Sequence, residues 1–217
     1  MVKCATHFII HIHYWIFVIR FVWSIDIEEK VITKYDGISN RHSYFLFLTF
    51  NLFFMKKILL LSDTHSYIDE AILKYAREAD EIWHAGDIGN ILVAEKLETA
   101  GKFRAVYGNI DDAQVRAAYP LNNRFMCEGV DVWITHIGGY PGRYDLRIRE
   151  EIRDNPPRLF ISGHSHILKV MNDKKLGLLH MNPGAIGKHG FHKKRTMLRF
   201  KIDGPVIKDL EVIEYAR

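Results

Sequence analysis

The chain has 217 residues, enough for one well-buried domain but not for two ordinary ones, and its 48% hydrophobic and 26% charged content excludes a disordered or membrane-filling protein. A formal charge of +4, from 30 basic and 26 acidic residues mixed along the sequence, leaves no electrostatic footprint for a polyanion, so no nucleic-acid partner is indicated. Cys4 and Cys127 stand too far apart for a disulfide framework or a metal-ligand spacing and read as free thiols of a reducing cytosol, which implies a cytoplasmic location.

Residues 1–54 differ in kind from the rest, because they hold 13 of the 27 aromatic residues in a quarter of the length. The stretch FIIHIHYWIFVIRFVWSI has the length of a bilayer span, but His11, His13 and Arg20 fall inside it, and a central basic residue costs about 2.5 kcal/mol or more on insertion scales. A clean apolar core and a small-residue cleavage site, the marks of a secretory signal, are not found there. At Met55 the sequence changes to MKKILLLSD, a charged start followed by a buried strand. Residues 1–54 are therefore expected to be a poorly ordered upstream extension, with the native start at Met55 and no membrane span. Residues 55–217 are expected to form the functional domain.

From there, 57–61 is a short apolar run of the kind covered on both faces, and 68–79 carries Ile68, Ala71, Ile72, Tyr75, Ala76 and Ala79 at helical spacing. Residues 81–85 predict a second strand, 90–100 a second helix and 103–107 a third strand. After Pro120, strands over 124–128 and 130–135 flank a hairpin turn at Gly129, and a helix over 145–154 is stopped by Pro156 and Pro157. Strands then follow over 158–161, over 167–171 and 176–180 around a turn at 172–174, and over 197–202 and 210–213 around Gly204 and Pro205. Pairing that is parallel first and antiparallel later predicts an α/β (α+β) fold, two β-sheets packed face to face with helices outside.

Five of these strands end in residues that are poor loop fillers and good metal ligands: Asp63 and His65 in SDTH, Asp87 in AGDIG, Asn109 with Asp111 in YGNID, His136 in THIGG, and His164 and His166 in SGHSH. In open α/β sheets the crevice beyond the carboxyl ends of strands is where ligands bind, so five such loops are expected to converge. Three carboxylate or amide oxygens with four imidazoles suit Mn, Fe, Zn or Ni rather than calcium. Seven such groups suffice for two ions sharing one carboxylate, and two ions can clamp a phosphoryl oxygen and lower the pKa of a bridging water to make hydroxide. Gly86, Gly108 and Gly163 directly precede Asp87, Asn109 and His164, where they allow a sharp turn and close backbone approach.

In this order and spacing, SDTH, GD, GN, a lone His and GHSH resemble the calcineurin-like metallophosphoesterases, and THIGGYPGRY with NPGAIG is similar to the compact YfcE-like phosphodiesterases. The resemblance spans residues 56–214. It implies that Asp63, His65 and His166 hold one metal ion and Asn109, His136 and His164 the other, with Asp87 bridging, and that Asp111 orients a metal-ligating His. Much of the family carries a leaving-group acid, a His, where this chain has Ile110, as is common in the compact group. Good leaving groups are therefore favoured. The expected function is hydrolysis of a small phosphoester, most readily a phosphodiester, with manganese the first choice of metal.

Other residues read more plainly. His84 and His180 are expected as sheet residues, Asn182 to Gly184 as a turn, and KHGFHKKR, 188–195, as a solvated loop. Arg143, in the Gly-rich loop after His136, is a candidate for meeting a substrate phosphate with its planar fork. A nuclease would need a basic track, which is not visible. A non-catalytic interaction scaffold, as the retromer subunit of this fold is, would be expected to have lost ligand positions that are all filled here. Exposed apolar surface would permit a homo-oligomer.

Overall fold

The computed structural model describes residues 55–217, so the expectations for 1–54 lie outside the described residues. No helix among the described residues is long and apolar enough to cross a membrane.

KKILLL forms β1 (Lys56–Leu61), and its side chains alternate between two cores. Ile58 and Leu60 point to the space between the sheets, while Leu59 and Leu61 point to a helix layer. α1 (Glu70–Glu78) starts where the Asp69 carboxylate accepts the Ile72 N–H, and β2 (Glu81–His84) follows. α2 (Ile91–Ala100) is capped by Asn90, and β3 (Lys102–Ala105) runs on from it. The six-residue α3 (Ala113–Ala118), too short for its periodicity to be read, is held by the Asp112 side chain, which accepts from Gln114 and Val115.

β4 (Asn122–Cys127) and β5 (Val130–Thr135) form the expected hairpin, and positive φ at both Glu128 (46°) and Gly129 (89°) gives its turn the twist that suits the strands. The Gly-rich loop that follows forms an unforeseen hairpin, β6 (Gly139–Tyr140) with β7 (Arg143–Tyr144). The helix expected from 145 begins four residues later as α4 (Arg149–Asp154). Asp145 accepts the Arg147 N–H at 3.0 Å and diverts the chain into a turn first.

β8 (Leu159–Ile161), β9 (Leu168–Asp173), β10 (Leu178–Pro183), β11 (Lys194–Asp203) and β12 (Val206–Ala216) complete the domain. The β9–β10 turn falls at 174–177 rather than 172–174, because the Asp173 carboxylate accepts the Lys175 and Leu176 N–H groups at 2.9 and 3.2 Å and Gly177 closes the turn at φ 68°.

One sheet has the order β12-β11-β1-β2-β3 and the other β4-β5-β8-β10-β9. The first mixes pairings as expected, β1–β2–β3 being parallel and β11 and β12 antiparallel. In the second, β8 lies parallel to both β5 and β10, so the later half of the chain is not simply antiparallel. Trp83, Phe200, Val132 and Ile161 fill the space between the sheets. Ile72, Ala76 and Leu97 cover the outer face of the first sheet, and Ile148 and Ile152 pack with Trp133 and Phe160 on the second. The loops after β1, β2 and β3 thus leave one sheet together, and those after β5 and β8 leave the other.

Candidate metal centre

Backbone hydrogen bonds knit these loops before any side chain acts. Asp63 N donates to Gly86 O at 3.0 Å, His65 N to Asp87 O at 3.0 Å and Gly163 N to His136 O at 2.9 Å. The loops are also strained in one consistent way. Of eight non-glycine residues with positive φ among the described residues, six are Asp63, His65, Ser66, Asp87, His164 and His166. Left-handed backbone is unfavourable for these residue types and persists where surrounding structure enforces it, characteristically at functional sites.

The side chains converge as two groups. In each of Asp63–His65–His166 and Asp87–His136–His164, one ligand atom per residue lies within 4.8 Å of the others. Asn109 joins the second group, its Oδ1 lying 3.1 Å from His136 Nε2. Asp87 faces both groups, with Oδ1 3.2 Å from His136 Nε2 and Oδ2 3.8 Å from His65 Nε2. All seven residues read from the strand ends are therefore brought together.

The donors and acceptors do not balance. His136 Nδ1 donates to Ala85 O at 2.7 Å, which leaves Nε2 facing two oxygens, Asn109 Oδ1 and Asp87 Oδ1. His65 Nε2 and His166 Nε2 point at each other 3.3 Å apart. Asp63 is fully buried; its Oδ2 accepts from Ser62 Oγ and His164 N, while its Oδ1 has no well-aligned hydrogen bond among the described residues and meets only His166 Nε2, 3.2 Å away. A buried carboxylate oxygen whose nearest polar neighbours are imidazole nitrogens is suited to a shared cation. The pKa directions separate the imidazoles. Burial lowers His65 and His164, keeping imidazoles neutral as ligands. His136 goes the other way: burial would lower it, but its hydrogen bond to Asp87 and the charges of Asp63 and Asp87 hold it above its ordinary value.

Residues around the centre explain its rigidity. Gly108 is required because a Cβ there would stand 2.0 Å from Asp87 Oδ1. Asp111 does not orient an imidazole. It accepts Gly89 N at 2.6 Å and Gly108 N at 2.7 Å, fastening the second loop to the third. Arg116, which sequence reasoning passed over, grips the Gly108, Asn109 and Asp111 carbonyls from α3, and its only signal was a basic residue shortly after YGNID. His84 is a buried sheet residue as expected, and it serves the loops: its Nδ1 accepts Gly86 N–H at 3.1 Å, so Nε2 carries the proton toward Thr64 Oγ1, 3.0 Å away. Burial pushes it down to about 4.

Two expectations are corrected. The 188–195 segment is not merely a solvated loop, since His189 packs on His65 (ring centroids 4.9 Å) and His192 on His166 (5.4 Å). With Ile110, Ile167 and a fully exposed Phe191, this segment helps form a cleft of about 520 Å³ that also contains His65, Asp87, Asn109, His164 and His166. Asn182 and Pro183 end β10 rather than forming a turn, and Asn182 Nδ2 donates to Gly163 O at 2.8 Å beneath the His164 loop. Arg143 lies outside this cleft, in an adjoining cavity that also touches His164.

Comparison with known proteins supports the same reading. Residues 55–204 match the calcineurin-like phosphoesterase superfamily domain. A probable metallophosphoesterase of Methanothermobacter thermautotrophicus is 29% identical over 133 residues, covering 58% of this chain and 74% of that protein. Among solved structures, a conserved Streptococcus pneumoniae protein described as a predicted phosphoesterase aligns with a TM-score of 0.54 at 20% identity, over 75% of this chain and 98% of its own. Vps29 of Entamoeba histolytica, in complex with zinc, aligns with a TM-score of 0.58 at 14% identity, over 74% and 98%. These two structures are similar in fold.

Proposed function

The chain belongs to the calcineurin-like phosphoesterase superfamily, and from that premise we propose that it hydrolyses a small phosphodiester with two divalent cations, manganese being the first choice. The observation that carries this reading is the convergence of two buried carboxylates with four imidazoles, above all Asp63 Oδ1, which has only the His166 imidazole beside it. Asp63, His65 and His166 would hold one ion and Asn109, His136 and His164 the other, with Asp87 between them. When bound, such ions supply positive charge against a phosphoryl group and activate water.

The chain's own residues prepare that chemistry. Interlocked, strained loops fix the side chains before substrate arrives, so little reorganisation accompanies reaction. Ile110, nearly half exposed at the cleft, offers no proton where much of the family has an imidazole, so the leaving group has to depart with little help. That favours esters of acidic alcohols or phenols. Arg143 would meet substrate from the adjoining cavity.

The test is hydrolysis of bis-p-nitrophenyl phosphate by protein stripped of metal and then resupplied with manganese, beside Asp87→Asn. Activity restored in the parent and not in the variant supports the hydrolase. A chain that binds no divalent metal would instead be a scaffold of this fold, read through its surface.

A further inference from the structure

Beside the metal cleft lies a second cavity of about 230 Å³, and the two share His164, Ser165 and Ile167. At its inner side is His180 on β10, 1% exposed, with neither ring nitrogen hydrogen-bonded. Alternation along β10 sends His180 and Asn182 to the same face as Leu178, and the antiparallel register sets Lys169 of β9 opposite Asn182. The Asn182 amide is already engaged with Gly163 O, Ser165 Oγ and Gly184 N, so it holds the wall rather than offering a free group.

The charges here are uncompensated. Lys169 Nζ rests over the Tyr140 ring at 3.6 Å, and neither it nor Arg143 has a carboxylate partner among the described residues. The acidic residue at this cavity, Asp145, is engaged by Arg147 through both backbone and guanidinium, at 3.0 and 2.8 Å. His180 is held neutral, burial and the Lys169 charge pushing it down to about 4 against the opposing pull of the Phe160 backbone. A neutral imidazole always carries one N–H, and here its acceptor within the protein is at best the Phe160 backbone, in poor hydrogen-bond geometry. Two cations without carboxylate partners and a poorly satisfied buried donor are complementary to an oxyanion. The metal cleft shows the inverse pattern, buried carboxylates set among imidazoles.

We propose that this cavity is a second oxyanion subsite, which binds a phosphate or carboxylate carried by the substrate while its scissile phosphoester lies at the metal centre. The proposal rests on the hydrolase reading for the identity of the ligand as substrate, but its binding chemistry can be tested apart from it. Its closeness to His164 means one small molecule can reach both places.

Calorimetric titration of the full, metal-stripped chain with inorganic phosphate, and separately with acetate, reads the subsite alone, because the stripped centre is acidic and repels both. Saturable binding of either ion, weakened about ten-fold or more by Lys169→Met and by Arg143→Met, is expected, and whichever ion binds tells phosphate from carboxylate. Both changes are at partly or fully exposed positions, so loss of folding does not confuse the result. No binding, or binding indifferent to both replacements, overturns the proposal. With manganese present, the parent should prefer the 3′-phosphorylated form of thymidine 5′-(p-nitrophenyl phosphate) over the unphosphorylated form, and Lys169→Met should reduce that kcat/KM ratio about ten-fold. A ratio unmoved by the substitution counts against the subsite. Failure of both esters to react sinks the hydrolase reading, and the metal-free titration still decides the subsite.

Discussion

Glu81 opens β2 and Asp87 lies in the loop just beyond its other end; both are buried, and they are treated in opposite ways. Glu81, in regular β backbone, is answered by Lys56 and Lys102 Nζ at 2.9 Å each, Arg104 Nε at 2.8 Å and Trp83 Nε1 at 3.1 Å. Asp87, at φ 55°, accepts one backbone N–H from Ile110 and otherwise faces His65 and His136, with no Lys or Arg paired to it among the described residues. A buried carboxylate is costly unless neutralised. At the first end the chain supplies the neutralising charge itself, and the carboxylate contributes to folding. At the other the charge is left open beside a second buried carboxylate, Asp63, so the demand for a cation is built into the fold.

The contrast can be broken by exchanging the fates of the two residues. Asp87→Asn should weaken metal binding and metal-dependent turnover by more than the roughly 10–100-fold typical of groups that only support ligands, whereas Glu81→Gln should leave metal stoichiometry at the parent value. Elemental analysis after dialysis against manganese, with turnover of bis-p-nitrophenyl phosphate, separates the two; equal losses would erase the distinction. Asp111→Ala should fall in the roughly 10–100-fold range, because it frees the Gly89 and Gly108 N–H groups without removing a ligand. Each N–H left unpaired should also cost about 1–3 kcal/mol in urea unfolding. Manganese at about 100 times its Kd should stabilise the parent by about 2.7 kcal/mol, and Asp63→Asn should remove most of that gain in thermal melts.

The candidate ligands were legible because each lies in a loop just past a strand end and its residue type is unusual in a loop. The β1 and β2 apolar runs, the Gly129 hairpin and the two-sheet architecture were legible from alternation and turn chemistry. What surrounds the ligands was not. Asp111 reads in sequence as a companion of an imidazole, yet it fastens two backbones, and backbone partners leave no mark on composition. The β6–β7 hairpin and the short α4 depend on local choices, such as the Asp145 turn, that periodicity cannot register in segments of two to six residues. His189 and His192 come to the centre only because β10 and β11 lie in different sheets, so that the segment between them passes the strand ends; a run of Lys and His says nothing of that. The cavity around His180 is hidden for a similar reason, since Lys169, Arg143 and His180 come from three separate strands.

The smallest effect concerns the satisfied end. Burial would raise the Glu81 carboxyl, but hydrogen bonds from Lys56, Arg104, Lys102 and Trp83 outweigh it and bring it down to about 2 from an ordinary 4.5. Because the folded value is depressed, the stabilisation is fully present above pH 4.5 and is lost as pH falls from 4.5 toward 2. Lys102 is more than half exposed and screened by solvent, so the contribution is on the order of 1–3 kcal/mol rather than the full shift. Urea unfolding at stepped pH should therefore show an acid limb in the parent that is shallower in Glu81→Gln, with the two curves offset above pH 5 by the lost ion pairs. Curves that stay parallel down to the lowest pH would mean that Glu81 keeps an ordinary carboxyl despite its partners, and the two ends of the strand would then differ in backbone strain alone.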